Sequence, residues 1–487
     1  MATIAKKTSP GPTTGNPAAP PPQQAVVAPA RSNPRVDRLR SWMLAVVAAA
    51  ISFGLLAGLI AWQANLATYN NYHKIVDVGS VSVDSALRAR AAVLDHMSAA
   101  ATFLETTGDN QKAAETRATQ RWADFNNEAR ISWRNLSDTT YGEYAVYAAA
   151  DAAASDYIQQ IGAMFSYYGA GEVDKAGTAF LAARETLNTR LVPALGGLEA
   201  VKVEAMETTY AGAAQVITNW QYVLLGAAAL LALILVAGLL AIRFMHYRWS
   251  WPVGIALIVS LVLALVMAVQ LGQARSDAQV MVRQAYDNVA GVQDMEALLS
   301  QGRALESIAI FDPAQSASHL DSFDQYISLV EQRLCGPVDC SKSTFLQTAS
   351  SISAQVRDLA VDEKNRLGLP RLPLVANVSF PGQAAAYEKF RSDYQTWLAS
   401  HATLAQQVKA GQLDAASQTS TGESAQAFGT AVASADAAGA IARSEYDKIW
   451  QGVYATTGIN QVLWLVFPLM GLVAAFGVWQ RRSELFA

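Results

Sequence analysis

The sequence predicts an all-α membrane protein, with four transmembrane helices and two extracytoplasmic antiparallel four-helix bundles related by internal duplication. Three observations predict it. Four apolar runs, Trp42 to Ala61, Tyr222 to Ile242, Pro252 to Leu271 and Val462 to Trp479, approach the ~20 residues a helix needs to cross a hydrocarbon core. They bracket two long hydrophilic segments whose apolar residues recur at helical spacing. A short motif also recurs at an offset of 240, at equivalent places in two span–segment–span units.

Charge orients the spans. Residues 1–40, the loop 243–250 and the tail 480–487 hold ten basic residues against Asp37 and Glu484, while the two long segments keep the remaining 26 basic and 38 acidic residues. Short basic pieces stay on the cytoplasmic face, which places both termini inside the plasma membrane and both long segments outside. Trp42, Trp62, Trp220, Trp249, Trp251, Trp464 and Trp479 mark span ends, where an indole finds both apolar and polar surroundings. No ionisable residue interrupts a span, which argues against a transport pathway through these helices.

Residues 1–40 form a Pro/Ala-rich cytoplasmic tail with too few apolar side chains to fold. Span 41–62 is longer than a signal-peptide core and starts too far into the chain to be one, so it reads as a retained anchor. In the first outer segment, 63–220, Leu87, Leu94, Met97, Ala101 and Leu104 follow the 3/4 spacing of a bundle seam. Breaks are expected at Thr106–Asn110, near Gly142, at Gly169–Asp174 and at Gly196–Gly197. Spans 221–242 and 251–271 flank the loop 243–250. The second outer segment, 272–460, resumes helical spacing at Val289, Val292, Met295, Leu299, Leu305 and Ile308, then breaks at Phe311-Asp-Pro313. It contains a Pro-rich patch, 367–382, without a counterpart in the first half. Span 461–479 and the tail 480–487 complete the chain.

Cys335 and Cys340 are the only cysteines and bracket a Gly-Pro turn. In an exported segment they read as a local disulfide stapling a loop. A redox pair wants Cys-x-x-Cys, and a metal site wants neighbouring histidines.

No phosphate-binding loop, zinc-protease motif or nucleophile elbow occurs, and the five histidines are scattered. The chain therefore reads as a non-enzyme with no metal and no cofactor. Its acidic outer face argues against nucleic acid. Trp122, Asn126, Arg130 and Trp133 fall at spacings of 4, 4 and 3, on one helix face. A guanidinium between indoles suits a carboxylate ligand or a protein contact; ordinary packing with Arg130 reaching to water is the plainer alternative. Arg90 interrupts the first seam, to face a ligand or to snorkel to the bundle edge. The 367–382 patch is either a binding surface or a connector capping the bundle. On the inner side, Arg243, His246, Arg248, Arg481 and Arg482 are the side chains available for cytoplasmic partner contacts.

The Gly-x-x-Asp-x-Ala opening of each returning helix, Gly171 to Ala176 and Gly411 to Ala416, is similar to that of the four-helix-bundle sensing domains of bacterial chemoreceptors and sensor kinases. Those proteins continue into large cytoplasmic output domains, whereas this chain offers only short inner pieces. With two bundles, a 2 + 2 span layout and an Ala/Pro-rich leader, it resembles the GlnX-type membrane proteins of actinobacteria. That resemblance implies a relay linking an extracytoplasmic glutamate/aspartate-binding lipoprotein to a cytoplasmic Ser/Thr protein kinase. The sequence also allows a membrane scaffold or envelope-assembly protein, a direct receptor for a small ligand, and a homo-oligomer.

Overall fold

The computed structural model describes residues 34–134, 141–246, 250–336, 373–374 and 378–484, and all regular structure among them is helical. The helices are α1 (Pro34–His73), α2 (Val81–Glu105), α3 (Gly108–Arg134), α4 (Tyr141–Gly169), α5 (Val173–Thr186), α6 (Val192–His246), α7 (Trp251–Val280), α8 (Asp287–Phe311), α9 (Ser316–Cys335), α10 (Gln383–Lys409), α11 (Leu413–Thr419), α12 (Ala425–Leu463) and α13 (Val466–Glu484).

Three helical runs are long and apolar enough to cross a membrane: Ser41–Glu105, Val173–Leu240 and Trp251–Phe311, of 65, 68 and 61 residues. At 1.5 Å per residue each is about 100 Å long, some three times a hydrocarbon core. The fourth expected span, 461–479, differs. A turn at Trp464–Leu465 ends α12, and the apolar helix beyond it, Val466–Gln480, is shorter than membrane length. Pro468 explains the break: it has no N–H for the Trp464 carbonyl and so sits in the first turn of a new helix. That helix still packs tightly. A Cβ on Gly54 of α1 would lie 2.9 Å from the Phe467 carbonyl oxygen, and one on Gly471 only 2.8 Å from that of Ala50. Small residues thus bring two backbones together, as in lipid-embedded helix pairs. The outward faces carry Leu55, Leu59, Leu233, Ile258, Leu265, Leu472 and Phe476, all exposed.

Beyond the apolar layer the helices continue into one helical body. The expected seams are buried, from Leu87 to Ala101 on α2 and from Val289 to Ile308 on α8. The two halves do not stand apart, because α2 and α8 pack along each other. One core accordingly joins Val93, Met97 and Phe180 of the first half to Ala297, Ala304 and Ile308 of the second. A second core gathers Phe323, Phe390, Trp397 and Phe428. Leu374, from the 367–382 patch, is buried in that core where α8 has no side chain: a Cβ on Gly291 would lie 2.7 Å from Leu374 Cδ2.

Breaks at 106–107, 170–172 and 312 fall where expected. Gly196–Gly197 is not a break. Helix α6 runs through it, and Gly197 instead lets α4 approach, with Val146 Cγ1 3.3 Å from a built Cβ. Pro193 is tolerated because the π-helical turn Leu187–Leu191 precedes it and supplies the wider backbone bonding a proline requires. Similar π-helical turns occur at Lys74–Ser80, Met281–Tyr286 and Ser420–Ser424. Every long helix entering or leaving the body therefore carries one. The two turns at the repeated motif match in two respects: Gly171 and Gly411 have φ of 77° and 72°, and Glu172 and Gln412 each donate a 2.9 Å backbone hydrogen bond five residues back.

Candidate functional site

A cleft of about 400 Å³ opens in the first half among the described residues, walled by α3 and α4 and floored by α2 and α6. It exists because α3 packs on α2, and α4 on α5 and α6, while α3 and α4 barely meet. Small side chains, Ala86 and Ala89 on α2 and Ala150 and Ala154 on α4, line it, and their size leaves the space open. Its volume lies within the ordinary range of small-ligand pockets.

Aromatic groups bracket the cleft. Toward the end farther from the apolar layer, Trp122 stacks on Phe125, with ring centroids 4.8 Å apart, and lies 5.5 Å from His96 and 6.0 Å from Tyr157. His96 Nδ1 and the Tyr157 hydroxyl are 2.6 Å apart, and burial lowers the imidazole pKa to about 4. His96 is therefore a neutral packing group at neutral pH. At the other end, Trp133 meets Tyr144 and Tyr147 with centroids 6.0 and 4.0 Å away. Between these clusters Arg130 and Asn126 on α3 face a lining that includes Asp151 and Ser155 on α4. Ser132 is buried in the same lining, and its hydroxyl finds no protein partner. Opposite charges on facing walls, with hydroxyls and aromatic ends, suit a small zwitterion: carboxylate toward Arg130, ammonium toward Asp151.

Trp122, Asn126 and Arg130 thus come together as the helix spacing predicts, while Trp133 forms the end wall without lining the cavity. Sequence reasoning passed over Tyr147, Asp151 and Ser155, which repeat at spacings of four on α4; that complementary stripe was the available signal. Arg90 lies elsewhere, neither facing the cleft nor snorkelling. Its guanidinium stands 3.5 Å from Glu199 and 3.3 Å from Asp294, and Arg333 holds the other Asp294 oxygen at 2.7 Å. The cluster ties the halves together across α2 and α8.

A second buried network lies at the far end of the body. Glu306, fully buried, accepts from Arg303 Nη1 at 2.6 Å, from Ser424 Oγ at 2.9 Å and from Trp397 Nε1 at 3.3 Å, with His401 Nδ1 2.9 Å from its other oxygen. These donors hold its carboxyl below the usual range, against a burial that would raise it. Arg303 also donates to the Ser420 carbonyl at 2.7 Å, and the Ser420 hydroxyl donates to Glu105 Oε2 at 3.1 Å. The π-helical turn 420–424 is thereby pinned to the tip of α2.

Of the remaining candidates, Cys335 is buried at the end of α9, and Cys340 and Arg248 lie outside the described residues. Arg243 is exposed near the end of α6. The backbones of His246, Arg481 and Arg482 are helical, but their side chains lie outside the described set. Among the described residues no group of three His, Cys, Asp or Glu side chains is placed to hold a metal.

No family model, curated protein or solved structure matches the chain.

Proposed function

We propose that the protein is a non-enzymatic transmembrane relay at the plasma membrane, with both termini cytoplasmic and the helical body outside. It couples an extracytoplasmic binding protein for an amino acid to a cytoplasmic Ser/Thr protein kinase. The observation that carries this reading is helix continuity: three runs of 61 to 68 residues extend from the apolar layer to the tip of the body without a break. A shift in the body is then a shift of the rods themselves. The fourth rod in this reading is α12 with α13. The intimate α1–α13 crossing and the exposed Leu469, Leu472 and Phe476 support a lipid-embedded α13. Matching turns at Gly171 and Gly411 support internal duplication. The partners come from the resemblance to the GlnX-type proteins, with Arg243, His246, Arg248, Arg481 and Arg482 as the proposed cytoplasmic contacts. Crosslinking from membranes with both termini tagged tests the reading. Recovery of a kinase and a solute-binding lipoprotein is expected; recovery of neither contradicts it.

The cleft favours a second reading, a receptor that binds the small ligand directly. On that reading Arg130→Ala abolishes ligand response while folding is intact. On the first reading the same change leaves the response of the loaded binding protein unaltered.

A further inference from the structure

A second, much smaller cavity, about 40 Å³, lies where α1, α7 and α12 meet beside the apolar layer, partly open at the exposed Asp277. Asn65 and Thr68 reach it from α1, Gln270 and Asp277 from α7, and Thr457 and Asn460 from α12. Its polar lining is rich in oxygen acceptors, beside the amide N–H groups of Gln270, Gln273 and Asn460. The hydroxyls of Thr68 and Thr457 each donate to a carbonyl four residues back, at 2.8 and 3.0 Å, and so present lone pairs rather than protons. Asn65 Nδ2 donates to the Thr457 carbonyl at 2.9 Å, which leaves its oxygen as the uncommitted end of that amide. Gln270 Oε1 and Asn460 Oδ1 are sealed from solvent and find no hydrogen-bond partner in the protein, although Asn460 is only 4% exposed. No cationic side chain is in the lining.

Buried oxygens without hydrogen-bond partners are costly, and two of them, on α7 and α12, belong to side chains that line a space too small for an organic ligand. We infer that this cavity is a binding site for a hard monovalent cation, with Na+ as the best fit. Amide and hydroxyl oxygens are the donor class such ions select. A single carboxylate, the exposed Asp277, stands in the lining and matches one positive charge, whereas a divalent ion would keep an uncompensated charge in a largely buried place. The three helices contribute from sequence positions far apart, so an ion there pins their mutual packing at the junction of the rods with the body.

Thermal unfolding of the purified full-length protein in detergent tests the site, with NaCl titrated against choline chloride at constant ionic strength. The expected result is a saturable rise in Tm of several degrees with Na+, lost in both Asp277→Asn and Asn460→Leu. Asp277→Asn changes an exposed group and leaves the core intact, so the test stands even if Asn460→Leu fails to fold. A Tm that is the same in Na+ and choline, as when water alone fills the space, overturns the inference. So does an undiminished Na+ response in Asp277→Asn, which assigns the ion to another place.

Discussion

Three side chains show how burial and the partners that folding brings together set chemistry in this body. His96 has its pKa lowered to about 4 by burial, so between pH 6.5 and 4 the unfolded chain takes up a proton that the folded one refuses. Stability is complete above 6.5 and falls by ~3 kcal/mol as pH drops to 4; His96→Phe flattens that acid limb in a denaturant titration. Glu296 behaves oppositely. Burial and the Asp436 carboxylate push it to about 9, so its contribution is complete below pH 4.5 and is lost as pH rises toward 9. Glu296→Gln therefore raises Tm at pH 8 and leaves it unchanged near pH 4. Glu306 is paired on every side, and Glu306→Ala strands Arg303 and His401 at a cost of ~3–5 kcal/mol, read as a fall in unfolding midpoint. None of this was legible in the sequence. Glu306 and His401 are 95 positions apart, and only the fold brings them into contact. By contrast, Trp122, Asn126 and Arg130 share one helix, so their common face was readable from spacing alone.

At the scale of elements, the 3.6-residue repeat located the helices, and most of their breaks were marked by a glycine at positive φ, as at Gly108 and Gly171, or by the Asp312-Pro313 step. What it did not reveal is the π-helical turns. Each inserts a residue and rotates the downstream face, so the face turned to lipid and the face turned to the core can differ along one rod. No side-chain pattern marks such a turn, since the extra residue only shifts the phase of the stripe. Gly196–Gly197 was misread for a related reason: a glycine signals a break or a close approach equally well, and the position of Val146 decides between them. The α1–α13 crossing gives the direct test of glycine as a packing device. Gly471→Leu places a side chain against the Ala50 carbonyl and separates the helices. The expected outcome is loss of an engineered disulfide across that crossing, while the helical circular dichroism of the body is unchanged.

The molecule as a whole joins its halves along α2 and α8, fastened by the Arg90–Asp294–Arg333 cluster near one end and the Glu105–Ser420–Arg303 network at the other. Two bundles, one per outer segment, as expected from the sequence, say nothing of this contact. Seam spacing is the same whether a helix faces three neighbours of its own bundle or shares a partner with the next, so the α2–α8 contact could not be read from it. On the proposed relay, the joined body would move as a unit and the uninterrupted rods would carry its movement through the apolar layer. The central claim is mechanical, and pulsed electron spin resonance tests it most directly, with spin labels at position 41, in the first half of α1, and at position 251, the start of α7, both remote from the body. Arg90→Ala releases the clamp between the halves. The account predicts that the distance between the labels then shifts by about 1–2 Å or broadens measurably. An unchanged distance, with the clamp shown to be broken by a label pair across α2 and α8, would contradict it.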